Sequence, residues 1–303
     1  MLGTSLLVYG AVKVWKSQFP SLRPSDLELT YGESSPMGLL WRFMGQSTAY
    51  SIATGCVEIV GASLLFFRRT TLLGALLLTV AMTQVFLLNM CFDVSVKLWS
   101  GHLLVMSLSL LAPQARVLWR FFTSTSAVAQ APIPPLFAPS SVVGRRALLA
   151  LKALVVAGWY LQTVDGARTA HATWGDGRQP LPLEGRYKVE HADVGDTCPE
   201  ALPFQKLTID EQGAVTFSGD GSRAGWKMSY DPEAGSLSLA AFNDDAKLTS
   251  VEGARVGPHD ERLELAGNIG KRQVKVALRK LESRDSLLES RGFHWLNEVP
   301  FNR

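Results

Sequence analysis

Cysteine is scarce in this chain: Cys56, Cys91 and Cys198 are the three thiols in 303 residues. So few exclude a disulfide framework, and no CxxC pair is present to hold zinc, attach haem or exchange dithiols. A Cys91–Cys198 bridge stays open as the one pairing to consider, and Cys56 is expected to be a small core residue. The five histidines (His102, His171, His191, His259 and His294) are scattered without an HExxH arrangement, so no metal site is expected. No glycine-rich nucleotide loop follows a strand pattern, and no GxSxG elbow occurs. Residues 218–222 (SGDGS) lack the spacing and the bidentate acid of a calcium loop and read as a β-turn. An excess of one charge is also missing. Thirty Lys and Arg against 27 Asp and Glu leave a net charge of +3, and no arginine-rich run suggests nucleic acid.

What the chain does have is long apolar runs, and they lie almost entirely before residue 165. Residues 45–67 end at Arg68 and Arg69, and residues 71–92 (TLLGALLLTVAMTQVFLLNMCF) follow at once. Residues 98–112 come after a short hinge, and residues 147–164 (ALLALKALVVAGWYLQTV) form a fourth run. Lengths near 20 residues match a hydrocarbon core of roughly 30 Å. In lipid, backbone groups must be satisfied within the segment, so these runs are expected to be spanning helices. Lys152 is placed to snorkel, and Trp159 and Tyr160 to sit at an interface. Residues 2–15 are short for a span and have neither a preceding basic region nor a cleavage site. They read as a helix truncated at its start.

Basic residues set the expected orientation. Arg68 and Arg69 close one hairpin, and the 114–146 linker carries Arg116, Arg120, Arg145 and Arg146 without an acid. Both fall on one side if the spans alternate, which makes that side cytoplasmic. The 16–42 loop, the 91–97 hinge and everything after residue 164 then face outward. The Ala-Pro-rich middle of the linker reads as a flexible tether.

Residues 174–303 are of different material, with short alternating segments and frequent turns. Leu207 and Ile209 alternate with polar residues, then Asp210–Gly213 turns the chain into Val215 and Phe217. Trp226, Met228 and Tyr230 repeat the pattern, as do Leu237 and Leu239, Leu263 and Leu265, and Val274, Val276 and Leu278. With strands near 186–190 and 247–251, about eight strands are expected in a hairpin meander. Closure into a small barrel of lipocalin-like size removes exposed edges and is favoured over a sandwich. The fold class expected is therefore α+β: a transmembrane helical bundle followed by an all-β meander outside the membrane. The expected domains are 1–113, the linker 114–146, a last span at 147–164, and a β domain at 174–303.

Three runs, YGESSPMGLLWRFMGQSTAY (31–50), FFRRTTLLGALL (66–77) and LLNMCFDVSVKLWSGHLL (87–104), resemble the membrane core of DoxX-like proteins. More narrowly, the chain resembles a bacterial subgroup in which that core precedes a β-rich tail ending much like RGFHWLNEVPFNR here. It covers most of residues 8–113 and, more loosely, the last stretch. The resemblance implies a four-helix bundle in the bacterial inner membrane. It also implies one of two roles: thiosulfate oxidation coupled to quinone, or service as a partner or assembly helper of membrane complexes. Fold alone transfers neither role. Larger members of the subgroup carry further helices ahead of the segment matching 8–19, which fits a clipped first helix.

Glu58 is the sharpest candidate, because a carboxylate in mid-span is expensive and usually faces a bundle interior. Gln46, Tyr50, Thr54 and Glu58 recur every four residues as one polar stripe. That stripe reads either as a proton- or quinol-binding face or as a hydrogen-bonded carboxyl joining helices, with Gln84 as its partner. Asn89, Asp93 and Lys97 share the same spacing, with His102 beginning the next span. They read as groups around a quinone head, where Asp93 and His102 exchange a proton, or as an ion pair capping a hairpin. Two functions follow. One is a membrane scaffold or accessory protein whose outer barrel binds a partner or lipid. The alternative is a membrane subunit of a quinone-linked oxidoreductase, with quinone the only cofactor implied. The aromatic tail at 291–303 is expected either to plug the barrel or to rest on the outer helix ends.

Overall fold

The computed structural model of the protein divides into two compact units. One comprises Met1–Leu22 and Tyr31–Arg178, the other Arg23–Thr30 and Gln179–Arg303. The structure describes residues 1–124, 141–181, 183–194, 204–211, 213–219, 222–231, 233, 236–241, 246–250, 262–269, 272–282 and 286–290. The middle of the linker, Cys198 and with it the Cys91–Cys198 pairing, and the tail at 291–303 lie outside these residues.

The helical unit contains α1 (Leu2–Val14); after α2 (Pro24–Glu28), which belongs to the other unit, come α3 (Pro36–Gln46), α4 (Thr48–Leu65), α5 (Thr71–Cys91), α6 (Lys97–Leu111), α7 (Ala115–Thr123) and α8 (Val142–Thr173). Among the described residues, four helical stretches are long and apolar enough to cross a membrane: Thr48–Leu65, Thr71–Cys91, Lys97–Thr123 and Val142–Thr173. Helix α1 packs on α4, α4 on α5 and α5 on α6, while α1 also touches α6 and α8. Leu6, Leu7, Ala62, Leu78, Met82 and Leu103 form the core they share. Starts are marked by side-chain caps: Ser35 Oγ accepts from Gly38 N, and Ser141 Oγ accepts from Gly144 N.

Several boundaries differ from the sequence expectation. The third run does not stop at 112; a 3₁₀ turn at Ala112–Gln114 leads directly into α7, so the first part of the linker is helical. The fourth helix starts at Val142 and continues to Thr173, well beyond 147–164. Hydropathy marks the stretch that suits lipid, whereas the helix itself continues through Asp165 and Arg168, where nothing in the sequence stops it before Trp174 and Gly175. Cys56 is exposed on the outside of α4 rather than buried, because Gly55 and Glu58 take the inward face.

The second unit is a closed eight-stranded antiparallel barrel in sequential order, as the meander pattern predicts. Its strands are β1 (Gly185–Val194), β2 (Lys206–Asp210), β3 (Gly213–Phe217), β4 (Arg223–Asp231), β5 (Ser236–Ala241), β6 (Ala246–Ser250), β7 (Arg262–Ile269) and β8 (Arg272–Lys280). β8 returns to pair with β1, with a bulge between Val189 and His191. The interior is packed with Leu207, Ile209, Leu239, Leu248, Leu265 and Leu278, all essentially without solvent exposure.

Strand β2 departs from simple alternation, since Thr208 and Asp210 are as buried as Leu207 and Ile209. Helix α2, contributed from the segment before α3, covers it. Ser25 Oγ donates to Asp210, Arg23 pairs with Glu211, and Glu28 accepts from Lys206 Nζ at 2.6 Å and from Arg186 at 3.4 Å. A strand buried on both faces is thus produced by residues almost two hundred positions away.

Candidate functional site

The site begins with two glycines. A Cβ built on Gly10 of α1 would lie 2.7 Å from the carbonyl oxygen of Gly55 on α4, and one on Gly55 would lie 2.6 Å from the oxygen of Gly10. Only glycine allows backbones to approach so closely, the small-residue packing typical of helices in lipid. Three residues further along each helix stand Lys13 and Glu58, and three residues on a helix return a side chain to the same face. Lys13 Nζ therefore meets Glu58 Oε1 in a buried ion pair, with side-chain exposures of 7% and 3%. The other carboxylate oxygen, Glu58 Oε2, is buried with no hydrogen-bond partner among the described residues.

Both residues line a cavity of about 220 Å³ within the helical unit. Apolar and aromatic side chains dominate its wall, among them Leu6, Phe19, Trp41, Met44 and Leu103. Its polar lining includes Gln18, whose side-chain oxygen Oε1 is a second buried acceptor without a partner among the described residues. Tyr50, Val57, Gln84 and Trp99 also line it and are themselves exposed on the outside of the unit. They mark its mouth, and all four belong to stretches long and apolar enough to cross a membrane. The cavity is thus bordered by residues exposed on the surface those helices would turn to lipid, and the buried Lys13–Glu58 pair forms part of its wall.

Of the residues singled out from sequence, Tyr50, Thr54, Glu58, Gln84 and Asn89 come together around this cavity. The four-residue stripe itself is broken. Gln46 ends α3, and the chain turns through the extended Ser47 before α4 begins, so Gln46 is not on the helix of Tyr50 and does not line the cavity. Glu58 pairs with Lys13 rather than with Gln84.

Asp93 and His102 are not among the lining residues either. Asp93 occupies the left-handed turn after α5, with φ of 53°. Val94 N there donates to Asn89 O, the six-to-one bond that closes a helix C-terminus. Its carboxylate accepts from Lys97, and that hydrogen bond together with the lysine charge holds Asp93 below the usual carboxylate range. The ion-pair reading of this hairpin is the one the geometry favours. His102 is exposed, with Nδ1 2.7 Å from the backbone oxygen of Leu98 in its own helix.

Sequence reasoning missed Lys13, Gln18, Trp41 and Trp99. For Lys13 a signal existed: an acid in an apolar run calls for a cation in another, and Lys13 is set in an apolar helix one turn after Gly10. Beyond the cavity, Lys16 is also buried, donating to Gly45 O at 2.8 Å. Burial pushes its pKa down, against the opposing pull of Asp176. Among the described residues no group of three or more His, Cys, Asp and Glu side chains is arranged to hold a metal ion.

The chain is 36% identical over 110 residues to the uncharacterized protein YwoB of Bacillus subtilis (strain 168), a match covering 36% of this chain and 70% of that protein. It belongs to the same family. No family model matches the chain, and no solved structure matches it.

Proposed function

We propose that this member of the YwoB family is a multi-pass membrane protein that binds a lipid-soluble ligand with a polar head in the cavity at Lys13 and Glu58. The observation that carries this reading is the buried pair in the wall of an apolar cavity, with one carboxylate oxygen left unsatisfied. A buried acceptor without a partner costs about 1–3 kcal/mol, so it calls for an occupant. The mouth, framed by Tyr50, Val57, Gln84 and Trp99, would admit a ligand from the bilayer rather than from water.

The helices would cross the bacterial inner membrane with Arg68, Arg69, Arg116 and Arg120 on the cytoplasmic side. The barrel would then be extracytoplasmic. Its packed interior supports a role for its outer surface, as a platform for a membrane redox or assembly partner. A DoxX-like quinone-linked oxidoreductase subunit is the enzymatic form of the same reading, since quinones are lipid-soluble, ring-shaped and polar at the head. The test is solvent extraction of the full chain purified in mild detergent, with mass spectrometry of the extract. One lipid-soluble compound near equimolar amounts is expected, and it should be lost from the Lys13→Leu/Glu58→Leu double variant. Recovery of bulk phospholipid and detergent alone would sink the proposal.

A further inference from the structure

We infer that the ligand of this cavity is recognised as a hydrogen-bond donor, specifically a ring-borne hydroxyl of a phenol or hydroquinone with an apolar tail. This rests on the cavity being a lipid-soluble ligand site, and it goes further by naming the head group.

The two unsatisfied atoms decide the matter. Glu58 Oε2 and Gln18 Oε1 are both acceptors, both buried, and both on residues lining the one cavity. A carbonyl or ether offers lone pairs only. It can take a bond from the ammonium of Lys13, but it leaves both acceptors unpaired. A hydroxyl that reaches the pair, with the buried carboxylate turned towards the cavity, donates to Glu58 Oε2 and still accepts from Lys13, so one group answers both members of the ion pair. A second ring hydroxyl would answer Gln18. A cationic head is disfavoured, because Lys13 already supplies the positive charge at Glu58.

The rest of the wall fits a ring. Phe19, Trp41, Tyr9 and Trp99 supply aromatic surface, against which a flat ligand packs in offset or edge-on contact. An engineered apolar cavity of about 150 Å³ holds benzene, so about 220 Å³ holds a substituted ring, with its tail leaving through the mouth between Val57 and Gln84. The reduced, hydroxyl-bearing form of a quinone is then held in preference to the oxidised form. The site is then selective for redox state.

The experiment compares 4-pentylphenol with its methyl ether, 4-pentylanisole, on the full chain in detergent, read by calorimetry and by quenching of tryptophan fluorescence. The two differ by one methyl group on the ring oxygen, which removes the donor and keeps the acceptor. Hydrogen bonds to charged groups in buried sites are strong enough that the phenol should bind roughly tenfold or more tightly. Equal affinity for the two would overturn the donor assignment while leaving the cavity reading intact. Binding of neither would remove both. Gln18→Leu, which leaves the ion pair untouched, should narrow the preference for a dihydroxy ring (4-pentylcatechol) over the phenol. Glu58→Gln should lower the phenol-to-anisole ratio severalfold, because an amide N–H replaces one acceptor. An unchanged ratio in a folded Glu58→Gln protein would place the hydroxyl elsewhere and refute the assignment.

Discussion

Glu28 and Lys206 are 178 residues apart in the chain, yet Lys206 Nζ donates to Glu28 Oε2 at 2.6 Å. Glu28 is almost fully buried and also faces Arg186, so one carboxylate fixes α2 to both β1 and β2. Replacing Glu28 with Ala should destabilise the barrel by about 1–3 kcal/mol, chiefly by leaving the buried Arg186 short of a partner. Denaturant unfolding of the full chain, followed by its β-sheet signal, measures this. An unchanged midpoint would mean that α2 merely rests on the barrel.

The same contact bears on topology. Arg23–Thr30 lies in sequence between α1 and α3 but forms part of the barrel unit, so in the proposed membrane arrangement that loop and the barrel would share one side of the bilayer. In the orientation proposed above, with the basic hairpin at Arg68 and Arg69 inside, that side would be external. A phosphatase reporter fused after Arg303 should be active. Activity from a fusion within residues 127–141 instead would reverse the orientation.

Tyr187 gives the barrel a pH signature. It is buried, its hydroxyl donates to Leu183 O at 2.9 Å, and burial pushes its pKa up to about 12. In the unfolded chain the phenol ionises near pH 10. Between these values the unfolded state holds fewer protons, so stability is complete below about pH 10 and falls as pH rises towards 12. The loss should reach roughly 3 kcal/mol. Tyr187→Phe should flatten this slope, and a slope that persists would assign it to other groups.

Much of the fold was legible because its local patterns and its environment agree. Apolar runs of bilayer length became α4, α5 and the cores of the later helices, and period-two alternation in Leu237 and Leu239 or Leu263 and Leu265 became barrel strands. The errors arose where burial depends on a distant segment. Thr208 read as a polar position alternating with the apolar ones and Asp210 as the start of a turn, yet both are buried where α2 packs on β2. Gln46 fell on the helical period of Glu58, but periodicity does not register the break at Ser47. At the site, Glu58 was visible as an acid in an apolar run. Lys13 carried a signal too, as a cation in a second apolar run, but its pairing with Glu58 comes from the Gly10–Gly55 approach, which only the folded chain reveals.

That approach can be tested directly. An added methyl at Gly55 would lie 2.6 Å from Gly10 O and 2.9 Å from Lys13 Cβ, with backbone on one side. Gly55→Ala should therefore push α1 away from α4, at a cost of roughly 1–3 kcal/mol from overpacking. The lower thermal midpoint should come with weaker ligand binding, since the ion pair is displaced with the helix. A midpoint equal to that of the parent protein would show that α1 is free to shift.

The ion pair itself separates a structural role from a binding one. Glu58→Leu alone leaves the Lys13 ammonium buried without its counter-charge, the situation that typically costs about 3–5 kcal/mol. Lys13→Leu alone strands the carboxylate and should cost about as much. Replacing both removes the two desolvated charges together and fills their space with apolar side chains, so the double variant should recover most of the lost stability. Strong non-additivity of this kind is what direct contact predicts. If Lys13 and Glu58 exist only to join α1 to α4, the double variant is stable and retains its ligand. If they exist to hold a ligand, it is equally stable and empty. Thermal unfolding in detergent combined with ligand content distinguishes these outcomes, and additive losses in the two single variants would refute the pairing.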